Sequence, residues 1–259
     1  MNSRIDIRCG DYRQVLADVT CDAVIVDAPY SAKTHSGHDE SAHGHADLLS
    51  QRTSKSGKVY APTENHMRPI TYAAWSSADV AEFCDFWRDR CTGWIISVTD
   101  HVLAPVWMAE LERTGRYVFA PLPWVAPGSR VRLSGDGPSS WTCWIIVARP
   151  KSRKFASWGT LPGAYIINAD REGHIGGKPV KLMRALIADY SRPGDTICDP
   201  CMGFGTTGAA CIMEGRNFVG AELDPDTFAH AQARLDPMNH KRIKDSKNTM
   251  GTALFGGES

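Results

Sequence analysis

Two short stretches carry residue types that do chemistry together. Asp27-Ala28-Pro29-Tyr30 follows an apolar run over 23–26. A carboxylate there accepts a hydrogen bond from an amino N–H, and a backbone carbonyl beside the restricted proline accepts a second. Tyr30 adds a flat ring on which a planar heterocycle stacks. An amine held this way presents its nitrogen lone pair to an electrophile. A tetrapeptide of this kind is also common as a plain strand-ending turn with a satisfied Asp.

The second stretch is Asp199-Pro200-Cys201-Met202-Gly203-Phe204-Gly205-Thr206-Thr207-Gly208. Its glycines allow a sharp turn and a close backbone approach to a ligand at a helix start. Downstream, the β-type run over 218–223 contains Glu222, a carboxylate suited to both hydroxyls of a ribose. The unit fits an adenosine-containing cofactor. Gly203 to Gly208 also reads as G-x-G-x-x-G, which suits a nicotinamide cofactor equally and by itself is a weak signal.

The elements that must position these residues alternate in type. Strand-like runs lie at 5–9, 23–26, 94–98, 117–125, 141–148, 196–198 and 218–223. Helical patterns lie at 78–90, 103–113, 179–190, 206–214 and 225–235, and a short helical turn begins at 15–16. Continuous apolar runs such as 23–26 mark strands covered on both faces, so the expected class is α/β with a mainly parallel sheet. Asp27 and the glycine stretch both follow parallel strands, which puts them on one edge of the sheet. Residues 1–235 are expected to form one domain. It is interrupted at 31–70 by a Ser/Gly/His/Lys-rich loop too long for an ordinary connection, and 236–259 form a polar tail.

The 259 residues carry 29 basic and 29 acidic side chains, so net charge does not advertise a nucleic-acid partner, although a local basic face remains compatible with one. The first residues lack a signal core, and no apolar run has bilayer length, so a cytoplasmic protein with no membrane partner is expected. Eight cysteines, several inside apolar runs, read as reduced buried thiols. Cys198-Asp199-Pro200-Cys201 matches C-x-x-C, yet it lacks the exposed electropositive setting of a redox pair. His35, His38, His43 and His45 lack the ligand spacing of a zinc site, and no metal is expected.

The ordered set of motifs resembles the β-arranged group of DNA amino-methyltransferases, in which the catalytic half precedes the cofactor half. Gly10-Asp11 and Asp27-Ala28-Pro29-Tyr30 come first. His174-Ile175-Gly176-Gly177-Lys178-Pro179 is similar to the group's H-P-x-x-K-P element and precedes the late glycine stretch. The resemblance implies a Rossmann-like, seven-stranded mixed sheet with one reversed strand. It implies S-adenosyl-L-methionine as cofactor and a base flipped out of duplex DNA as substrate. Asp27, Pro29 and Tyr30 would be the catalytic set. Asp199, Cys201, Gly203, Phe204, Gly205 and Thr206 would line the cofactor, with Glu222 on the ribose. Asp11 and Tyr12 would meet the adenine end, and His174, Lys178 and Pro179 would close the methionine pocket. Adenine N6 is favoured over cytosine N4, because the group's cytosine enzymes more often carry Ser where Asp27 stands.

Three positions depart from the group's pattern: Ala28 for Pro, Cys201 for an aromatic residue, and Ile175 for Pro. The stretch 150–174, where the group often carries a recognition segment, is short. DNA contacts are therefore expected from Lys33, Arg52, Lys55 and Lys58, and from Arg130 and Arg132. Arg149, Lys151, Arg153 and Lys154 extend the second basic surface. A homodimer, a partner nuclease and a bacterial or phage setting are compatible with this reading. Competing readings are a methyltransferase acting on RNA or a protein amide, a nicotinamide oxidoreductase, and a non-catalytic DNA-binding relative. Trp75, Trp87, Trp94 and Trp107 are expected in the core.

Overall fold

The computed structural model describes residues 3–35, 72–128, 138–169 and 177–238. Their strands are β1 (Ile5–Cys9), β2 (Cys21–Asp27), β3 (Cys91–Thr99), β4 (Tyr117–Val118), β5 (Leu122–Val125), β6 (Thr142–Arg149), β7 (Tyr165–Ile166), β8 (Thr196–Asp199) and β9 (Asn217–Glu222). The helices are α1 (Tyr12–Val15), α2 (Ser77–Trp87), α3 (Ala104–Arg113), α4 (Arg153–Ala156), α5 (Val180–Tyr190) and α6 (Thr206–Glu214). A further helix, α7, covers 225–238.

All nine strands join one sheet in the order β1-β9-β8-β2-β3-β6-β5-β7, with β4 also on β6. β1, β9, β8, β2 and β3 are parallel, and β6 runs against β3, β4 and β5. The expected α/β class and single reversed strand are therefore present. The strand count exceeds seven for two physical reasons. The expected strand over 117–125 breaks into β4 and β5, which pair with successive parts of β6 on either side of a stretch ending in Pro121; proline has no N–H for a ladder. β7 is only two residues long and adds an outer strand beside β5. The expected turn at 15–16 is instead the end of α1, which is capped by Asp11.

β2 and β3 run apolar because helices cover both their faces. α5, α6 and α7 pack on one side through Leu182, Leu186, Ala209, Ala231 and Leu235. α2 and α3 pack on the other through Val80, Phe83, Trp87, Trp107 and Leu111. Each leucine, valine and phenylalanine among them contributes about 1.5–3 kcal/mol by leaving water. Trp87, Trp94 and Trp107 are fully or almost fully buried, and Trp75 packs partly buried against the second cluster. α2 begins with a capping box between Ser76 and Asp79. All eight cysteines are free thiols, and Cys9 alone among them is exposed. No helix among the described residues is long and apolar enough to cross a membrane.

The late strands β8 and β9 lie between the early strands β1 and β2. From β2 the chain winds outward to β3, and from β8 it winds the other way to β9. The junction of β2 and β8 is thus a point where winding direction reverses, and such points open a crevice at the carboxyl ends of the strands.

Candidate active site

Asp27 ends β2, Asp199 ends β8 and Glu222 ends β9. These three strands are neighbours, about 4.8 Å apart, so three acidic residues stand at one sheet edge, with Asp199 set back from the level of Asp27 and Glu222. Residues 172 positions apart in the chain meet because the second half of the fold inserts beside the first.

Asp27 is half-buried. Its Oδ2 accepts from Lys178 Nζ at 2.6 Å. The same ammonium lies 4.8 Å from the centroid of the Tyr30 ring. Lys178 is held there because Pro179 caps α5 directly after it. Tyr30 is 6% exposed, and its hydroxyl lies 3.6 Å from Cys143 Sγ. Pro29 is partly exposed between buried Ala28 and Tyr30.

The chain leaving Tyr30 is tied down by Asp100, at the end of β3. Asp100 Oδ2 accepts from Ser31 N at 2.8 Å, Ser31 Oγ at 2.5 Å and Thr34 Oγ1 at 2.6 Å. Its Oδ1 accepts from Val102 N and Leu103 N. Burial pushes this carboxyl up, but the Ser31, Thr34 and backbone donors outweigh it and hold the carboxyl below its ordinary value. Trp75 N donates to Tyr30 O at 3.0 Å, so the chain entering 36–71 and the chain leaving it meet beside the tetrapeptide.

The glycine stretch forms the turn its composition demands. Gly203 has φ +51° and Gly205 φ +74°, a region where a side chain is strained. A Cβ on Gly203 would meet nothing within 4 Å, so the loop faces open space at that residue, whereas one on Gly205 would press on Leu235 at 3.1 Å. Gly203 N donates to Glu222 Oε2 at 2.9 Å, and Asp224 N donates to Oε1 at 3.0 Å. Both carboxylate oxygens retain lone pairs for further donors. Asp199 sits behind the loop, 2% exposed. It accepts from Cys201 N at 3.1 Å and from the Thr207 hydroxyl. Burial pushes this carboxyl up to about 7, opposed by those two donors and reinforced by the charges of Asp27 and Glu222.

The remaining cofactor-side residues lie around this loop. Arg234 reaches the Phe204 carbonyl and Thr206 Oγ1, both at 3.2 Å, and the Phe204 ring is 5.8 Å from His230. Asp11 caps α1 and is paired with Arg13, which also reaches Glu82. Tyr12 packs on Phe83 and Phe86. Its phenol is raised by burial first and then by the neighbouring Cys201. The Cys201 thiol is itself held well above its ordinary range by burial, then by Asp199 and Glu222, which makes it a packing group rather than a nucleophile.

The structure thus gathers Asp27, Pro29, Tyr30, Lys178, Pro179, Asp199, Cys201, Gly203, Phe204, Gly205, Thr206 and Glu222 on one edge, with Asp11 and Tyr12 following β1 on the same edge. His174, Arg52, Lys55, Lys58, Arg130 and Arg132 lie outside the described residues, as do His38, His43 and His45. Lys33 is exposed, one turn beyond Ser31. Residues 151–163, within the short stretch 150–174, lie at the opposite edge of the sheet. Phe155 and Trp158 stack there and pack on Trp94, near the start of β3. With Phe119, Arg149 and Tyr190 they line a cavity of about 340 Å³, remote from Asp27. Asp100 and Thr207 were not singled out from the sequence. Asp100 follows a strand in the same way as Asp27, and that placement was the available signal.

This arrangement has relatives. A DNA adenine methyltransferase (YhdJ) of Escherichia coli K12 is 39% identical over 80 residues, which are 31% of this chain and 27% of that protein. The chain thus aligns with little more than a quarter of that relative. The solved structure of an M1.HpyAVI–SAM complex superposes with a TM-score of 0.63 at 20% identity, covering 90% of this chain and all of that one. The cytosine-N4-specific PvuII DNA methyltransferase superposes at 0.61 with 14% identity, over 94% of each chain. At these identities the two structures establish the fold alone. The family model described as DNA methylase matches residues 97–233. That span holds Lys178, the glycine loop and Glu222, and the chain belongs to the N6/N4 DNA methylase family.

Proposed function

We propose that this protein transfers a methyl group from S-adenosylmethionine to the exocyclic amine of a base flipped out of duplex DNA, and that the base is adenine, modified at N6. The observation that carries this reading is the row Asp27–Asp199–Glu222 on adjacent strand ends, with open space at Gly203 beside it.

The residues present fit the cofactor. Glu222 has acceptor capacity for ribose hydroxyls, Gly203 leaves room for close approach, and Lys178 is a cation within reach of an amino-acid carboxylate. Asp199 acts from behind, holding the loop through Cys201 N and Thr207. When bound, the cofactor supplies an electrophilic methyl on a cationic sulfur.

The chain's own residues do the rest. Asp27 accepts an N–H of the amine, which turns the nitrogen lone pair toward the cofactor side of the crevice. Tyr30 stacks against the base. As the nitrogen–carbon bond forms, the bond from that carbon to sulfur would break, the sulfur leaving as a neutral thioether, and positive charge develops on nitrogen beside the Asp27 carboxylate. The excess proton then leaves the nitrogen through that hydrogen bond.

Sequence recognition belongs, in this reading, to the segments 36–71 and 129–137. Both are spliced into the catalytic edge, the first at Tyr30–His35 and Tyr72–Trp75, the second beyond β5 and before β6. Adenine is favoured by Asp27 in the first motif position and by the likeness to the Escherichia coli DNA adenine methyltransferase. The PvuII enzyme shows that the same fold also serves cytosine N4.

The test is transfer of labelled methyl from S-adenosylmethionine to unmethylated genomic DNA, followed by nucleoside analysis. N6-methyladenine is the expected product. N4-methylcytosine would overturn the base assignment, and label in RNA or protein but not DNA would overturn the substrate.

A further inference from the structure

The proposed function asks Asp27 and Tyr30 to hold one planar amine between them. In the structure both already hold a cation. Lys178 Nζ is 2.6 Å from Asp27 Oδ2 and 4.8 Å from the Tyr30 ring centroid, and its side chain is only 7% exposed. A base donating its amine to Asp27 and lying on Tyr30 would need that same volume, because stacked rings approach to within van der Waals contact. The two cannot be present together. Charge argues the same way. The amine becomes cationic during transfer, and an ammonium on the same carboxylate oxygen would oppose that development.

We infer that Lys178 is a stand-in for the substrate amine, which fills the acceptor position at Asp27 and must leave before a base enters. The inference rests on the proposed function. Its backbone is fixed by Pro179 at the start of α5, so the motion is confined to a four-carbon side chain carrying a compact charge. The incoming cofactor brings the one group able to draw that charge away, an amino-acid carboxylate. Cofactor binding therefore frees Asp27, and the base follows. Order of binding is built into one side chain: with Lys178 on Asp27, a flipped base finds neither its acceptor nor its stacking face.

The coupling is measurable without knowing the DNA target. S-adenosylhomocysteine keeps the carboxylate and has neutral sulfur, so its binding does not respond to Asp27 through a sulfonium charge. Calorimetric Kd values would be compared for the wild type, Asp27→Asn, Lys178→Met and the double variant. Removing the Asp27 charge releases Lys178 to the ligand carboxylate, so Asp27→Asn should tighten binding about fivefold, the scale of a partly exposed ion pair. In the Lys178→Met background only direct electrostatics remains, and the same substitution should change Kd less than about twofold. Equal effects in both backgrounds would overturn the stand-in role while leaving the cofactor assignment in place. Absence of S-adenosylhomocysteine binding by the wild type would remove the cofactor assignment and the stand-in role together. Lys178→Gln serves as the charge-free variant if Lys178→Met does not fold.

Discussion

The Thr207 hydroxyl donates to the buried Asp199 carboxyl from the first turn of α6, and so ties that helix to the end of β8. Asp199 has its carboxyl raised by burial from 3.8 to about 7. An acid raised in the folded state binds protons more tightly there than in the unfolded chain. Its contribution to stability is therefore complete below about 4 and is lost as pH rises through about 7. Asp199→Asn removes this titration. It should raise the unfolding free energy measured by urea denaturation relative to wild type at pH 8, by on the order of 2–4 kcal/mol, with the advantage fading toward pH 4. An advantage that does not change with pH would show that Asp199 is ionised throughout.

Asp27→Ala should reduce methyl transfer by at least about a thousandfold, since it removes the acceptor that orients the amine and faces its developing charge. S-adenosylhomocysteine binding should persist or tighten. Single-turnover transfer and calorimetry on one preparation separate the two effects. Transfer within tenfold of wild type would refute the catalytic assignment.

Glu222→Gln keeps shape and loses charge. The amide oxygen can still accept from one of Gly203 N and Asp224 N, but the other donor and the ribose hydroxyls lose an anionic partner. Cofactor affinity should fall about tenfold or more, with kcat at saturating cofactor changed far less. A drop confined to kcat would place Glu222 outside the cofactor site.

Asp100→Asn should loosen the loop that follows Tyr30. Its carboxylate accepts from Ser31 and Thr34 side chains and from three backbone N–H groups. An amide cannot accept from all of them, so stability should fall by about 1–3 kcal/mol. The folded carboxyl is held below its ordinary value, so this contribution is present at neutral pH and lost as pH falls through the folded value. The wild-type advantage should shrink on acidification, and denaturation midpoints at pH 7 and pH 4 measure it.

Much of this site could be read from residue order. Asp27-Ala28-Pro29-Tyr30 and the Gly203–Gly205 turn each follow a buried apolar run, and parallel strands must place such termini on one edge. Other features had no local signature. Lys178 and Asp27 are 151 residues apart, and their contact exists only because β8 pairs with β2. Thr207 rather than Thr206 faces Asp199, a choice made by helix phase against the sheet. The break between β4 and β5 was signalled by Pro121, but the apolar run around it reads as a single strand. β7 at two residues is too short to show a period. The aromatic residues of 151–163 pack around Trp94, a partner that no local pattern announces.

The hydrogen bond from Trp75 N to Tyr30 O closes the base of everything between 36 and 71. With Asp100 securing the departing chain and Ser76 starting α2 just past the return, both ends are held by contacts among the described residues. Such a junction works as a socket. Its contents can be lengthened or rewritten at a loop-closure cost that grows only logarithmically, about 0.6 kcal/mol per doubling. Evolution, or an engineer, could therefore exchange this segment between relatives while the junction itself stays in place, and vary what is chosen while keeping how it is modified.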